Sequence, residues 1–409
     1  MNTKIVCKRK QTQGLVHAMK YDEETARRLS SIEAIQRAHT TEKDEVRAIE
    51  ELHRALDLEG VSLLMFFCSP TYDRSLLAEA MGSKFSGVEL VGCTTAGEIG
   101  PDGFTEGGIS AMTFPAAHFR FSKMSITDLA AFRMSEGQGA AKAAWTAHVN
   151  SIPSATTENS FAMLLIDGMS VREEQVTRAL QTGLGEVPLV GGSAADGMAF
   201  GETFIFHDGG FHTNHALCIL GTTDLPFRVF KTQHFEAMDE RMVVTEADGS
   251  RRIVREINGF PAAQEYARVL NTNGANLDPA HFASSPVVVM IDGTNYVRSI
   301  RQANTDGSLT FFCAIEEGLV FRVARGNGLL ENLYTTMDAL KGGLGGIQGA
   351  LVFDCILRRL ELAQSNDRDA VARLLVENGA VGFNTYGEQY HGVHVNQTLV
   401  GIAFGEVRA

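Results

Sequence analysis

The chain has no run of about 18 apolar residues, the length a membrane helix requires. Its start, Met-Asn-Thr-Lys-Ile-Val, lacks the apolar core of a secretory signal. Both absences predict a cytoplasmic protein with no membrane partner. Basic charge is also scarce: 36 Lys+Arg stand against 49 Asp+Glu, a formal net charge of −13 at pH 7, and no basic stretch exceeds Lys8-Arg9-Lys10. A phosphate-backbone footprint is therefore missing, and nucleic acid is not an expected partner. The six cysteines (Cys7, Cys68, Cys93, Cys218, Cys313, Cys355) are scattered without C-x-x-C or C-x-x-C-H. That spacing indicates no zinc cage, disulfide framework or covalent haem, and the thiols read mostly as buried small hydrophobes.

What is present is a repeat. Val91-Gly92-Cys93-Thr94-Thr95-Ala96-Gly97-Glu98 returns as Val381-Gly382-Phe383-Asn384-Thr385-Tyr386-Gly387-Glu388, with a looser relative at Val190-Gly191-Gly192-Ser193-Ala194-Ala195-Asp196-Gly197. Each copy follows an apolar strand pattern and a helical one, at 28 residues (Leu64 to Gly92), 27 (Leu164 to Gly191) and 31 (Leu351 to Gly382). The strand at 63–68, the helix at 74–85, the strand at 88–91, the Gly-rich turn and the strand at 109–114 make a βαββ unit. A degraded fourth unit is expected at 286–292 and 309–321. A period this long predicts pseudo-symmetric domains rather than a solenoid. The expected fold is α+β: repeated βαββ units in two largely antiparallel sheets, packed together and flanked by helices. At roughly 100–200 residues per domain, the chain divides into an extension at 1–40, with a short strand near Ile5, and domains at 41–250 and 251–409. The apolar positions Val46, Ile49, Leu52 and Leu56 predict an amphipathic helix before Gly60.

The segments 88–108 and 161–221 resemble the N-terminal domain of the FIST family of bacterial sensory proteins, and 256–266, 286–293 and 379–405 its C-terminal domain. Within the family, Lys231-Thr232-Gln233-His234-Phe235-Glu236, with 243–248 and 255–263, is similar to the nitric-oxide-sensing members. The resemblance implies a sensor that holds non-covalent haem b, binds nitric oxide and reports to a histidine kinase or a cyclic-di-GMP enzyme. A homodimer is compatible with it. No enzymatic activity is expected.

The Gly-rich turns read first as architecture, with Thr95 and Thr385 tying down the backbone. Glu98 and Glu388 follow their second glycines where a phosphate loop would place lysine, so their charge argues against an anion. As a second reading, the two glutamates line a small-ligand cleft. A thiol hydrolase at Cys93 is the enzymatic rival, and it lacks an evident base. The pairs His212/His215 and His391/His394 sit where a spacing of three points side chains to opposite faces, so they read as solvated loop histidines rather than zinc ligands. His234, between Phe230 and Phe235, differs. One imidazole beside an apolar wall suits haem iron with an open position for a neutral diatomic gas, and the resemblance makes His234 the axial ligand, with His207 and His394 as alternatives.

Overall fold

The computed structural model describes residues 34–272, 277–291 and 294–406. The strand expected near Ile5, and all of the 1–40 extension before residue 34, lie outside them. Three units share one order: edge strand, helix, central strand, helical segment, parallel strand, hairpin, returning strand. In the first unit these are Arg37–Thr40, Glu45–Ala55, Val61–Cys68, Arg74–Lys84, Leu90–Thr94, the hairpin Glu98–Gly100 with Gly103–Thr105, and Ile109–Pro115. The second runs Phe119–Ile126, Met134–Ser151, Ser160–Ile166, Glu173–Leu184, Leu189–Ser193, Ile205–His207 with Gly210–His212, and Ala216–Thr223. The third runs Phe227–Thr232, Leu329–Leu344, Gly349–Cys355, the two helices Ile356–Ala363 and Arg368–Glu377, Ala380–Thr385, Glu388–Tyr390 with Val393–Val395, and Leu399–Phe404.

Each unit builds a sheet, but none keeps its own hairpin. Strand Leu90–Thr94 of the first unit pairs with the hairpin of the second (Ile205 opposite Cys93). Leu189–Ser193 pairs with the hairpin of the third (Glu388 opposite Gly192), and Ala380–Thr385 with that of the first (Glu98 opposite Phe383). The result is three six-stranded sheets joined in a cycle. Within each, the central strand lies parallel to its Gly-containing neighbour and antiparallel to the returning strand.

The central strands are near-continuous apolar runs because both faces are covered. Leu63, Met65, Phe67, Phe161, Met163, Leu165, Leu351 and Phe353 point into one core shared by the three sheets. Their neighbours point outward under the helices: Leu64 and Phe66 in the first unit, Ala162 and Leu164 in the second, Ala350 and Val352 in the third. The helix Glu45–Ala55 starts at Asp44, whose carboxylate accepts from the Arg47 N–H. It buries Ala48, Ile49 and Leu52; Val46, expected inside, is exposed.

The repeated Val-Gly step has a steric cause. A Cβ on Gly92, Gly191 or Gly382 would stand 2.3, 2.1 or 1.7 Å from the carbonyl oxygen of Phe66, Leu164 or Val352 on the parallel neighbour. These glycines lie inside strands rather than in the turn that was expected. What they allow is close backbone approach.

The α+β architecture of packed sheets flanked by helices is as expected, with four sheets among the described residues. The fourth is an insertion: the chain leaves the third unit after Thr232 and returns at Leu329. Here the expected fourth βαββ unit is corrected. Val287–Ile291 pairs antiparallel with both Thr294–Arg298 and Val320–Gly326, and the described strands give it no parallel partner. The apolar run was a strand, but the Gly-rich parallel strand that defines the repeat does not follow it. Residue 250, where a domain boundary was drawn, lies between the paired strands Phe235–Asp248 and Ile253–Ile257.

Candidate functional site

The three Gly-rich segments meet. The Ala96 N–H donates to the Asn384 carbonyl (3.0 Å) and the Asn384 N–H to that of Gly97 (2.8 Å). Ala195 and Gly197 donate to Thr94 and Thr95 (2.9 and 3.2 Å), while Ser193 donates to Gly387 (2.9 Å) and Tyr386 back to Ser193 (3.3 Å). Stretches far apart in sequence thus form a closed ring of backbone bonds where the hairpins change sheets.

Each corner holds a buried carboxylate. Glu98 accepts from the Thr95 hydroxyl (2.6 Å) and the Gly108 N–H (3.0 Å). Glu388 repeats this with the Thr385 hydroxyl and, ten residues on, with the N–H (3.2 Å) and hydroxyl (2.7 Å) of Thr398. Burial raises Glu98 to about 7 and Glu388 to about 8 against these hydrogen bonds. In the second unit the carboxylate comes from the end of the central strand instead: Asp167 accepts from the Thr203 hydroxyl (2.5 Å) and the N–H groups of Met169 (2.9 Å) and Asn214 (2.5 Å).

Beside the first corner lies a cleft of about 410 Å³ lined by Ser69, Thr95, Glu98, Glu106, Asp196 and Arg359, among others. Its groups come from all three units. Arg359 bonds the Ala96 carbonyl and the Glu106 carboxylate. Asp196 holds its loop by accepting from the N–H groups of Phe200, Gly201 and Glu202 (2.9, 2.7 and 3.0 Å) and from the Tyr386 hydroxyl. Glu98 lines this cleft, whereas Glu388 sits under another corner, fully buried. The two glutamates expected in one cleft are therefore equivalent residues at separate corners.

The other candidates fall elsewhere. Cys93 is fully buried in the shared core, where burial pushes its thiol well above the usual value. It occupies the level of Gly192 and Phe383, and a Cβ on Gly192 would reach within 3.1 Å of the Phe383 ring. One large and one absent side chain fill this layer. The five described cysteines are all buried, and Cys7 lies outside the described residues.

His234 stands at the neck of the insertion, where its carbonyl accepts from the Asn327 N–H (2.8 Å). Its ring is 1% exposed and fully engaged: Nε2 donates to Glu361 (2.8 Å) and Nδ1 accepts from Arg358 (3.2 Å), which also pairs with Asp354 (2.6 Å). Phe235 packs on the ring at 4.2 Å between centroids. Phe230 belongs instead to the cluster under the helix Leu329–Leu344, so the two phenylalanines do not form one wall. A groove of about 590 Å³ beside that helix is lined by Arg228, Asn327, Glu331 and Leu340, among others, with no histidine. With both ring nitrogens taken, His234 as arranged does not fit a haem. His394 is buried beside Gln389, and His207 is bonded to Asp208.

The expectation for His212 and His215 is also corrected. Asn214 adopts φ 55°, which turns the chain back and brings the two rings to 4.8 Å. Opposite-face reasoning holds only for a strand that continues.

Comparison with known proteins agrees with the resemblance at the level of the family. The FIST N domain model matches residues 62–259 and the FIST C domain model residues 262–391. The chain belongs to the FIST family. FIST domains are sensory domains that bind small ligands. An uncharacterized protein of Methanocaldococcus jannaschii, MJ1623, is 25% identical over 238 residues, or 56% of this chain and 44% of that protein. This chain therefore matches less than half of that relative's length. A cyanuric acid hydrolase from A. caulinodans aligns over 91% of this chain and 99% of its own at 10% identity with a TM-score of 0.33, too low to carry fold or function. No described helix is long and apolar enough to cross a membrane.

Proposed function

We propose that this FIST protein is a cytoplasmic sensory module that binds a small polar metabolite, without transforming it, in the cleft between Thr95–Glu98, Asp196 and Arg359. The observation that carries this is the convergence of all three units on one cleft beside their backbone ring. A ligand there touches every unit, so it acts on their relative arrangement to the extent that its affinity differs between two states. The insertion is the element to respond. It is held to the third unit at the His234 neck and to the second by Arg252, which pairs with Glu173 and Glu174 at 2.7 Å each. The output is a signalling partner, a histidine kinase or a cyclic-di-GMP enzyme.

A thermal-shift screen of polar metabolites tests the site, because a ligand raises the melting temperature by mass action. A saturable rise that is lost in Met198→Trp, at the exposed mouth of the cleft, and in Arg359→Ala is the expected result. A rise unaffected by both substitutions moves the site elsewhere. The haem and nitric-oxide reading competes because His234 sits at the neck under Phe235; it requires iron to replace Glu361 on Nε2. Titration with haemin decides between them: a saturable Soret band lost in His234→Ala installs the haem reading, and no such band is expected.

A further inference from the structure

The second and third units open with the same pattern, Phe119-Arg120-Phe121-Ser122-Lys123 and Phe227-Arg228-Val229-Phe230-Lys231. Each lies in the edge strand of its sheet, and each phenylalanine stands opposite the end of its returning strand, at Thr223 and Phe404. In the second unit both cations are held. Arg120 donates to the Ala116 and Phe119 carbonyls, and Lys123 pairs with Glu89 and Asp208 at 2.5 Å each. In the third unit neither cation has a hydrogen bond or an ion pair among the described residues. The positions equivalent to Glu89 and Asp208 are Pro188, before the parallel strand, and His391, at the hairpin tip, and neither is a carboxylate. Lys231 instead faces the rings of Tyr296 and Tyr390, 5.4 and 5.8 Å from their centroids. Burial without a counter-ion lowers its ammonium from the ordinary value.

The backbone of this edge is open as well. Gly405 donates to the Pro226 carbonyl (2.7 Å), which fixes the alternation along the pair: Arg228, Phe230 and Thr232 bond inward to the returning strand, and Phe227, Val229 and Lys231 turn their N–H and C=O groups outward. No described strand lies beyond them. A groove runs there between the edge and the helix Leu329–Leu344, made of cavities of about 590 and 570 Å³ that share Arg228 and Gly343. The helix lines it with short side chains, Thr335, Thr336 and Ala339, and a Cβ on Gly343 would meet nothing within 4 Å. The groove also carries Glu158, Asp224 and Glu331. Asp224 is held by His118 (2.8 Å), and Glu331 sits in the first turn of its helix, where the dipole favours an acid. None of the three bonds Arg228.

An unpaired edge of this kind accepts an extended chain as an added strand, with main-chain bonds giving affinity and side-chain partners giving choice. Arg228 and Lys231 are three residues apart and so lie on opposite faces, and residues directly across a strand pair share a face.

We propose that the edge Phe227–Thr232 is a docking site for an extended segment of a partner protein, which adds a seventh strand to this six-stranded sheet and sets carboxylate side chains three residues apart against Arg228 and Lys231. The site uses none of the cleft residues and stands independently of the ligand reading.

A fluorescein-labelled, end-capped peptide, Thr-Val-Glu-Val-Thr-Glu-Val-Thr, titrated with the full chain and followed by fluorescence polarisation tests it. Saturable one-to-one binding is expected, weakened about 2–5-fold by Arg228→Ala, by Lys231→Ala and by glutamine in place of both glutamates of the peptide. Val229→Pro removes an outward N–H, a change an edge strand tolerates, and should weaken binding about tenfold. Val229→Ala shortens the side chain, keeps the N–H and should bind as the wild type does; circular dichroism checks that both variants fold. Arg120→Ala, on the equivalent strand, should leave binding unchanged. Absence of saturable binding overturns the proposal, as does binding that Val229→Pro and the glutamine peptide both leave unchanged. A chain that is dimeric by light scattering and becomes monomeric as Val229→Pro places a second copy on this edge and overturns it too.

Discussion

The first and third corners solve one problem identically and the second solves it differently. Glu98 and Glu388 each follow Thr-x-Gly, bond the threonine three residues earlier and accept from an N–H ten residues later. The second corner has no glutamate there. Asp167 reaches the turn before the returning strand from the end of the central strand, with Thr203 as its hydroxyl partner. The repeat thus preserves a role, a buried acceptor for the turn preceding the returning strand, rather than a residue. The backbone shows the same equivalence: Gly107, Asn214 and Gln397 all have positive φ, at 73°, 55° and 49°.

The comparison can be broken most severely at the glycines all three units share. Gly382→Ala would put a methyl carbon 1.7 Å from the Val352 oxygen. Since overpacking alone costs about 1–3 kcal/mol and a backbone atom cannot step aside, no cooperatively folded protein is expected by circular dichroism. Next is the layer where the units differ. Phe383→Ala removes a ring stacked on Phe67 at 4.7 Å and should cost about 3–5 kcal/mol in urea denaturation. Gly192→Ala crowds that same ring, so the double variant should be less destabilised than the sum of the two, as coupled neighbours are. Third, Thr203→Val leaves Asp167 short of one donor and should cost about 1–3 kcal/mol.

The smallest effect distinguishes the two glutamate corners from each other by pH. A carboxyl group raised by folding binds its proton more tightly in the native state, so its contribution is complete below the unfolded value near 4.5 and is lost as pH rises through the native value. Glu98 should lose its contribution as pH approaches about 7 and Glu388 as it approaches about 8. Melting temperatures measured from pH 4.5 to 8.5 should therefore fall with pH in the wild type. They should fall less in Glu388→Gln, with the difference extending to higher pH than in Glu98→Gln. A wild-type melting temperature that rises steadily across that window would contradict the burial of both groups.

Much of this was legible in sequence because it depends on local patterns. Apolar runs and helical periodicity located the central strand and the helix Arg74–Lys84 of the first unit, and the repeated Val-Gly step marked the repeat. The candidate site was legible only in part. Glu98 lines a cleft and Glu388 does not: their equivalence in the repeat was mistaken for proximity. His234 was read from its phenylalanine neighbours, whereas its partners Arg358 and Glu361 lie 124 and 127 residues away. The meeting of His212 and His215 was missed because periodicity assumes an unbroken strand. A signal was present in Asn214, a residue that tolerates left-handed backbone.

The sequence by itself determined the repeat, the class of fold and the family, because each rests on spacing and side-chain chemistry within short windows. The tertiary structure alone decided which hairpin completes which sheet, that the three Gly-rich segments form one ring, and that His234 is occupied while His212 and His215 meet. The physical reason is that sheet pairing and buried hydrogen bonds join residues more than a hundred positions apart. Their partners are chosen by packing around the common core, which no local pattern records.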